Sequence, residues 1–305
     1  MRRRFFLIDN PGAGRTGATL AMEAVRILER EGATVERTCP ASVEASRQAA
    51  HAAADTGRYD AIVAAGGDGT IRQIAAVLIG AGTPLGIVPV GTGNVLAHEI
   101  GLARTPAAVA RMLAVGPAIS AATALANGEP FLLMAGAGFD GRVIAALDQG
   151  FKSRLGKVAY AGPLLGALVR PMDQLTVSVD GYRHEASWAV IANARHYGGR
   201  FVMAPRAGIR ERGLEAILFK ARNRAVLLGQ LMSLALGRLD ARAAASMGDM
   251  AMLPCARVSI ASHHPVPTQI DGDPFGETPL EVEAGTGEIR LIVPPNAPGI
   301  GNPPR

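Results

Sequence analysis

The chain has 305 residues, 49% of them hydrophobic, enough for two domains of ordinary size with buried cores. Its formal net charge is +5 and only 4% of its residues are aromatic, which leaves little for base stacking and argues against a nucleic-acid partner. Cys39 and Cys255 lie far apart in no metal-ligand spacing, which argues against a disulfide framework and fits a reducing cytoplasm.

Met1 to Ile8 carries three arginines and then four apolar residues, a run that stops at Asp9-Asn10-Pro11. That run is too short for a signal peptide and reads as a first strand over residues 4–9. After the loop Asn10–Gly17, the apolar residues Leu20, Ala24, Ile27 and Leu28 recur at helical spacing until Gly32. A strand over Thr34–Thr38, an alanine-rich helix over 43–55 and a strand over Ala61–Ala65 follow. Gly66-Gly67-Asp68-Gly69-Thr70 then opens a helix whose apolar face is Ile71, Ile74, Ala75 and Leu78. A fourth strand, Pro84–Val90, ends in Gly91-Thr92-Gly93-Asn94. Strands alternating with helices predict a parallel α/β sheet, and three glycine-rich loops fall at strand C-termini, where open sheets of this kind bind ligands.

Past about residue 122 the pattern changes to short strands, expected at Phe131–Ala135, Leu175–Val179, Trp188–Ala192, Glu215–Phe219, Arg257–Ala261, Pro267–Ile270 and Ile289–Val293. Asp180-Gly181 is a hairpin signal between two such runs. This half is expected to be mostly antiparallel β. Two apolar segments, Val158–Val169 and Ala225–Leu236, read as core helices, with a lipid-facing surface as the alternative. Residues 142–242 hold sixteen Lys or Arg against seven Asp or Glu, so the basic face belongs to the second half and suits an anionic membrane surface. No apolar stretch approaches the roughly 20 residues of a spanning helix, so contact with a membrane would be peripheral. The Pro- and Gly-rich end, Pro294–Arg305, reads as an extended tail.

The chemistry centres on Gly66-Gly67-Asp68-Gly69-Thr70. Glycines let a backbone approach a polyanion, Thr70 is placed to cap the following helix, and helix N-terminal amides favour bound phosphate. A carboxylate beside phosphates needs a cation between them, so Asp68 points to a Mg2+–nucleotide. Gly12 to Gly17 also fits GxGxxG, with Glu36 at the dinucleotide-binding distance, which keeps a nicotinamide-dependent oxidoreductase open. That reading leaves the loops at Gly66 and Gly91 without a purpose. A second GxGxxG, Gly136 to Gly141, has no acid at the expected distance and reads as a turn. His98, His196, His263 and His264 show no metal-ligand spacing.

Asn-Pro-x-x-Gly after the first strand, Gly-Gly-Asp-Gly-Thr after the third and Gly-Thr-Gly-Asn after the fourth, in this order, resemble the lipid kinases of the diacylglycerol and sphingosine kinase type. Asn193 to Gly199, Ala204-Pro205-Arg206-Ala207 and Gln269-Ile270-Asp271-Gly272-Asp273 resemble that family's second-domain motifs. The resemblance implies an NAD kinase-like nucleotide domain over residues 1–122, onto which the tail 295–305 is expected to pack back, and a β-rich lipid domain over 123–294. It implies that Asn10, Gly12, Gly14, Thr38, Gly66, Gly67, Gly69, Thr70, Thr92 and Asn94 surround ATP, with Asp68 near its phosphates and Mg2+. Asp271 and Asp273 occupy the family's Asp-Gly-Glu motif, which supplies the base that takes the lipid hydroxyl proton, an assignment that leaves both residues as candidates. Three positions depart from the pattern. Val95 stands where an aspartate commonly follows Gly-Thr-x-Asn, Asp273 replaces a glutamate, and Arg212-Gly213 replaces an Asp-Gly of a structural metal loop.

The expectation is a cytoplasmic, peripherally membrane-associated kinase that moves the γ-phosphate of ATP to a lipid alcohol such as diacylglycerol, a sphingoid base or ceramide. Three alternatives stand beside it. An NAD kinase shares Gly-Gly-Asp-Gly-Thr but would carry an Asn-Glu dipeptide that this chain lacks; the oxidoreductase rests on Gly12 to Gly17; a catalytically dead lipid-binding regulator is left open by Val95 and Asp273. Neither the lipid nor the oligomeric state is legible.

Overall fold

In the computed structural model, which describes residues 1–10, 15–147, 159–237, 239 and 249–297, strands and helices alternate through the first 121 residues. The order is β1 (Arg4–Asp9), α1 (Arg15–Arg30), β2 (Thr34–Thr38), α2 (Val43–Asp55), β3 (Ala61–Gly66), α3 (Asp68–Val77), β4 (Leu85–Pro89), α4 (Val95–Glu99) and α5 (Pro106–Val115). The strands pair in parallel in the order β2-β1-β3-β4. All six residues of β3 are buried, as a central strand covered on both faces requires, and its sequence is accordingly a continuous apolar run. Ser42 and Thr105 cap α2 and α5 by accepting the amides of Ala45 and Ala108, so both helices start where the side-chain chemistry dictates. The register, Ile8 with Thr38, Asp9 with Ala65 and Gly66 with Pro89, brings the loops after β1, β2, β3 and β4 to one edge.

The chain leaves this unit through β5 (Ala118–Ala126) and returns in the last strand, so that Met1–Ala121 and the chain from Gly287 form one unit and Ala122–Thr286 the other. The second unit contains β6 (Glu129–Phe131), β7 (Met134–Ala137), α6 (Phe139–Ala145), α7 (Ala161–Val169), β8 (Leu175–Val179), β9 (Tyr182–Ala186), β10 (Trp188–Ala192), β11 (His196–Tyr197), β12 (Phe201–Val202) and β13 (Leu214–Phe219). It continues with α8 (Arg224–Ala235), β14 (Met250–Cys255), β15 (Arg257–Ser262), β16 (Pro267–Ile270), β17 (Asp273–Glu277) and the start of β18 (Leu280–Ile292). One antiparallel sheet runs β14-β13-β10-β7-β16-β17; β18, β15, β8 and β9 form another run. Ala189, Ile191, Ala216 and Leu218 from the first meet Leu175, Val177, Val258, Ile260 and Val282 from the second, every other residue of each strand, which is the period-2 core of a β-sandwich.

Asp180-Gly181 closes β8 to β9 with both residues at positive φ, 47° and 89°, the two-residue hairpin expected of Asp-Gly. Two expectations need correction. Phe131–Ala135 is not one strand: β6 ends at Phe131 and β7 begins at Met134, because the amides of Leu132, Leu133 and Met134 turn to a carboxylate described below. The segment before Val169 is not a core helix either, since none of the side chains of α7 is buried. Val158 and residues 298–305 lie outside the described residues. Among the described residues no helix is long and apolar enough to cross a membrane.

Candidate active site

In the first unit the site is built on a close approach of two glycine loops. A Cβ on Gly91 would lie 2.5 Å from the Gly67 Cα, so any side chain there would push the loops after β3 and β4 apart. Gly67 is the N-cap residue of α3, Asp68 and Gly69 its first two residues, and Thr70 lies one step further in. Thr70 therefore does not cap the helix as expected. Its hydroxyl instead accepts from Asn10 Nδ2 at 2.7 Å, which ties the loop after β1 to the start of α3, and Gly66 leaves the room its side chain fills. Thr38 ends β2, and Thr92 lies half-buried between β4 and α4. Gly12 and Gly14 lie outside the described residues.

Asp68 is an acceptor for the next element. Its Oδ2 takes the amide of Val95 at 3.0 Å and its Oδ1 that of Leu96 at 3.1 Å, so it caps α4 from 27 residues away. Val95, where the resemblance places an acid, is buried beside it. Asn94 sits in the left-handed region at φ 47°, fully buried, with its Nδ2 donating to Gly91 O at 2.6 Å. Its Oδ1 has no partner among the described residues. A buried orphan acceptor beside a glycine cradle suits a ligand that brings donors, such as an adenine or a hydrated cation. For Mg2+ the fit is of one kind only: a single half-buried carboxylate suits an ion held mostly by phosphate oxygens and water. Among the described residues no group of three or more His, Cys, Asp or Glu could form a cage.

The second unit brings Asp271 and Asp273 to the hairpin between β16 and β17. Asp271 and Gly272 are its two turn residues, at φ 50° and 81°. Asp271 is 6% exposed and accepts three backbone amides, Leu132 N at 2.9 Å, Leu133 N at 2.9 Å and Met134 N at 3.0 Å. This is the carboxylate that breaks the expected strand. Asp273, next to it, is only half-buried at the first position of β17.

Sequence reasoning missed Asp140, which sits inside the second GxGxxG, at the start of α6 rather than in a turn. Its side chain is buried, with Oδ1 accepting Gly141 N at 2.8 Å and Oδ2 accepting Gln269 Nε2 at 2.9 Å. A Cβ on Gly136 would come within 2.3 Å of Oδ2, so that glycine is there for the carboxylate. Burial pushes the carboxyl up to about 7, against the opposing hydrogen bonds from Gln269 and Gly141. Tyr197, half-buried on β11, is raised well above its ordinary value by desolvation and then by Asp140.

The diacylglycerol kinase catalytic domain matches residues 4–126, and the YegS C-terminal NAD kinase beta sandwich-like domain matches residues 134–293. A Pseudomonas aeruginosa protein named "Probable lipid kinase YegS-like" is 31% identical over 263 residues, 81% of this chain and 81% of that one. A Salmonella typhimurium "Probable lipid kinase YegS" is 28% identical over 251 residues, 78% and 80% of the two chains. A Synechocystis protein without an assigned role is 27% identical over 237 residues, and the chain spans about half its length, 54%. Among solved structures, the crystal structure of a "putative diacylglycerol kinase" from Bacillus anthracis superposes with a TM-score of 0.78 over 96% of both chains at 21% identity, a likeness of fold. The chain thus belongs to the lipid kinase family that joins a diacylglycerol kinase catalytic domain to a YegS-type C-terminal β-sandwich.

Proposed function

We propose that this protein transfers the γ-phosphate of ATP to the hydroxyl of a lipid alcohol. The observation that carries the reading is the approach of Gly67 and Gly91 at the strand ends, flanked by Asp68, Asn94 and the Asn10–Thr70 pair, in a chain of lipid kinase family. Backbone amides at the start of α3 and the glycine loops would hold phosphate, and Asp68 would hold Mg2+. When bound, that ion supplies charge neutralisation for phosphate oxygens. Asp273 is the better candidate for the base, because the Asp271 carboxylate is buried accepting hydrogen bonds from three amides while Asp273 is the more exposed of the two at the head of β17.

An exposed apolar surface on the second unit supports peripheral contact with a membrane. Leu164, Leu165 and Val169 of α7 and Leu228, Met232 and Leu236 at α8 are exposed. Arg224 donates to Val169 O at 2.6 Å, joining the two helices, and Arg170 and Arg222 are exposed nearby. Exposed apolar side chains with arginines at the helix ends suit a bilayer with anionic headgroups.

The test is purified protein with labelled ATP and Mg2+ against diacylglycerol, sphingoid base and ceramide in micelles, with NAD as a further acceptor. Labelled lipid should form with the wild type, and Asp273→Asn should lower its rate at least about a hundredfold with ATP affinity little changed. Labelled NAD, or no labelled lipid from the panel, would overturn the reading.

A further inference from the structure

The turn that carries Asp273 is gripped from two directions. One is the Asp271 carboxylate on the amides of Leu132, Leu133 and Met134. The other is Gln269, whose side-chain Oε1 accepts Gly272 N at 2.9 Å while its Nε2 donates to Asp140 at 2.9 Å. An amide side chain has one accepting and one donating end, and its neighbours decide which way it lies. Gly272 presents an N–H, which demands the oxygen. Asp140 presents a carboxylate, which demands the NH2. The two demands agree, and the Gln269 amide is fixed between them in buried surroundings, 2% exposed.

We infer that Gln269 is a positioning residue for the reaction: it holds the Gly272 peptide, and with it Asp273, while Asp140 orients its amide. The inference rests on the reading of Asp273 as the base. Its chemistry separates it from simple packing. An ionised Asp140 can only accept, so it keeps the Gln269 NH2 toward itself and the oxygen on Gly272. A protonated Asp140 can donate to Gln269 Oε1, and a flipped amide would then turn its NH2 on the Gly272 N–H, donor against donor. The carboxyl sits where this exchange occurs near neutral pH, at about 7. The groups that face Asp140 fit that role. Tyr197 from β11 faces it, with Tyr160, which precedes α7, acting in turn on Tyr197; Gln269 reaches it from β16 and Gly136 leaves it space from β7. The nearest cation on its own helix, Arg142, is taken up by Asp173.

Two measurements on the full-length protein test this. In the first, the amide shift of Gly272 is followed by NMR between pH 5.5 and 8.5. It should titrate with the Asp140 carboxyl in the wild type, and that titration should vanish in Gln269→Met and in Asp140→Asn. In the second, turnover is measured with 1,2-dioleoylglycerol in detergent micelles or whichever lipid alcohol of the panel is phosphorylated. Gln269→Met should lower kcat at least about tenfold while KM for ATP stays within about twofold, and Asp140→Asn should flatten the acid limb of the kcat profile. Asp140→Asn is nearly isosteric and serves if Gln269→Met does not fold. A Gly272 shift indifferent to Asp140, or kcat within about twofold for both variants, would overturn the inference. If Asp273→Asn keeps the wild-type rate, the base reading falls and this inference with it, whatever the Gly272 amide does.

Discussion

Asp68 and Asp271 look alike in the sequence, each an acid beside glycine at the end of an apolar strand, and both turn out to hold backbone amides of a distant segment. They differ in how far that task consumes them. Asp68 is half-buried and caps one short helix with two hydrogen bonds. Asp271 is buried and takes three amides from residues 132–134, more than 130 residues away in the chain. The half-buried carboxylate is therefore a strut that a ligand can also reach, whereas the buried one is chiefly an anchor. An acid-and-glycine motif marks a place where the backbone needs an acceptor; exposure decides which of those acids can do chemistry as well.

The largest effect expected from this contrast is on Asp271→Ala. Three buried amides lose their acceptor at once, each costing about 1–3 kcal/mol if left unsatisfied, and the variant should lose several kcal/mol of stability or fail to fold its second unit. Asp271→Asn, which keeps one accepting oxygen, should fall between. Chemical denaturation followed by tryptophan fluorescence reports it, since Trp188 is stacked on Phe219 in the same unit at 3.9 Å. Stability within about 1 kcal/mol of wild type for Asp271→Ala would erase the distinction between anchor and strut.

A third carboxylate sharpens the comparison by its pH dependence. Asp140 is raised to about 7 by burial, so between about pH 4 and 7 the folded state keeps a proton that the unfolded state gives up. Stability from this group is therefore fully present below about pH 4 and is lost as pH rises through 7, a difference of a few kcal/mol at about 1.36 kcal/mol per pKa unit. The stability of wild type minus that of Asp140→Asn, measured by urea unfolding at steps between pH 4.5 and 7.5, should decline across the window. A flat difference would mean that the carboxyl is ionised throughout. If the Gln269 relay operates, the ionised form that orients the turn is the less stable one, so activity and stability move in opposite directions with pH.

Much of the first unit was legible because its determinants are local. The strands at 4–9, 34–38 and 61–65 and the glycine loops that follow them are each encoded within a few residues. The three-loop order then pointed to the family, and the switch to short runs after residue 122 marked the antiparallel β half, though not its packing as a sandwich. What was not legible depends on partners distant in sequence. Nothing in Phe131-Leu132-Leu133-Met134 signals a break, since the reason for it is Asp271. Asp140 was hidden in a stretch read as a turn, and its tie to Gln269 joins residues 129 apart. Thr70 was misplaced as a cap because a threonine near a helix start is ordinary, whereas its actual partner is Asn10 from another loop. The apolar α7 was read as core because composition cannot tell an apolar helix that is covered from one that is not.

The smallest expected change in stability, and the most informative for function, belongs to Asp68→Ala. Val95 and Leu96 would lose the acceptor for the first two amides of α4, and the loop of Gly91 to Asn94 would lose its tether, at a cost of about 1–3 kcal/mol. A purely catalytic acid would show no such loss, and a purely structural one would show it with activity restored wherever the fold is restored. Asp68→Asn separates the two, because the carboxamide oxygen can still accept an amide while the neutral group no longer balances a cation beside phosphate. Asp68→Asn should recover part of the stability lost in Asp68→Ala yet remain at least about a hundredfold below wild type in turnover. Turnover within about tenfold of wild type in Asp68→Asn, roughly 1.4 kcal/mol of transition-state stabilisation, would leave Asp68 as a helix cap alone. The acid that would hold a cation beside the phosphates would then have to be sought elsewhere in the first unit.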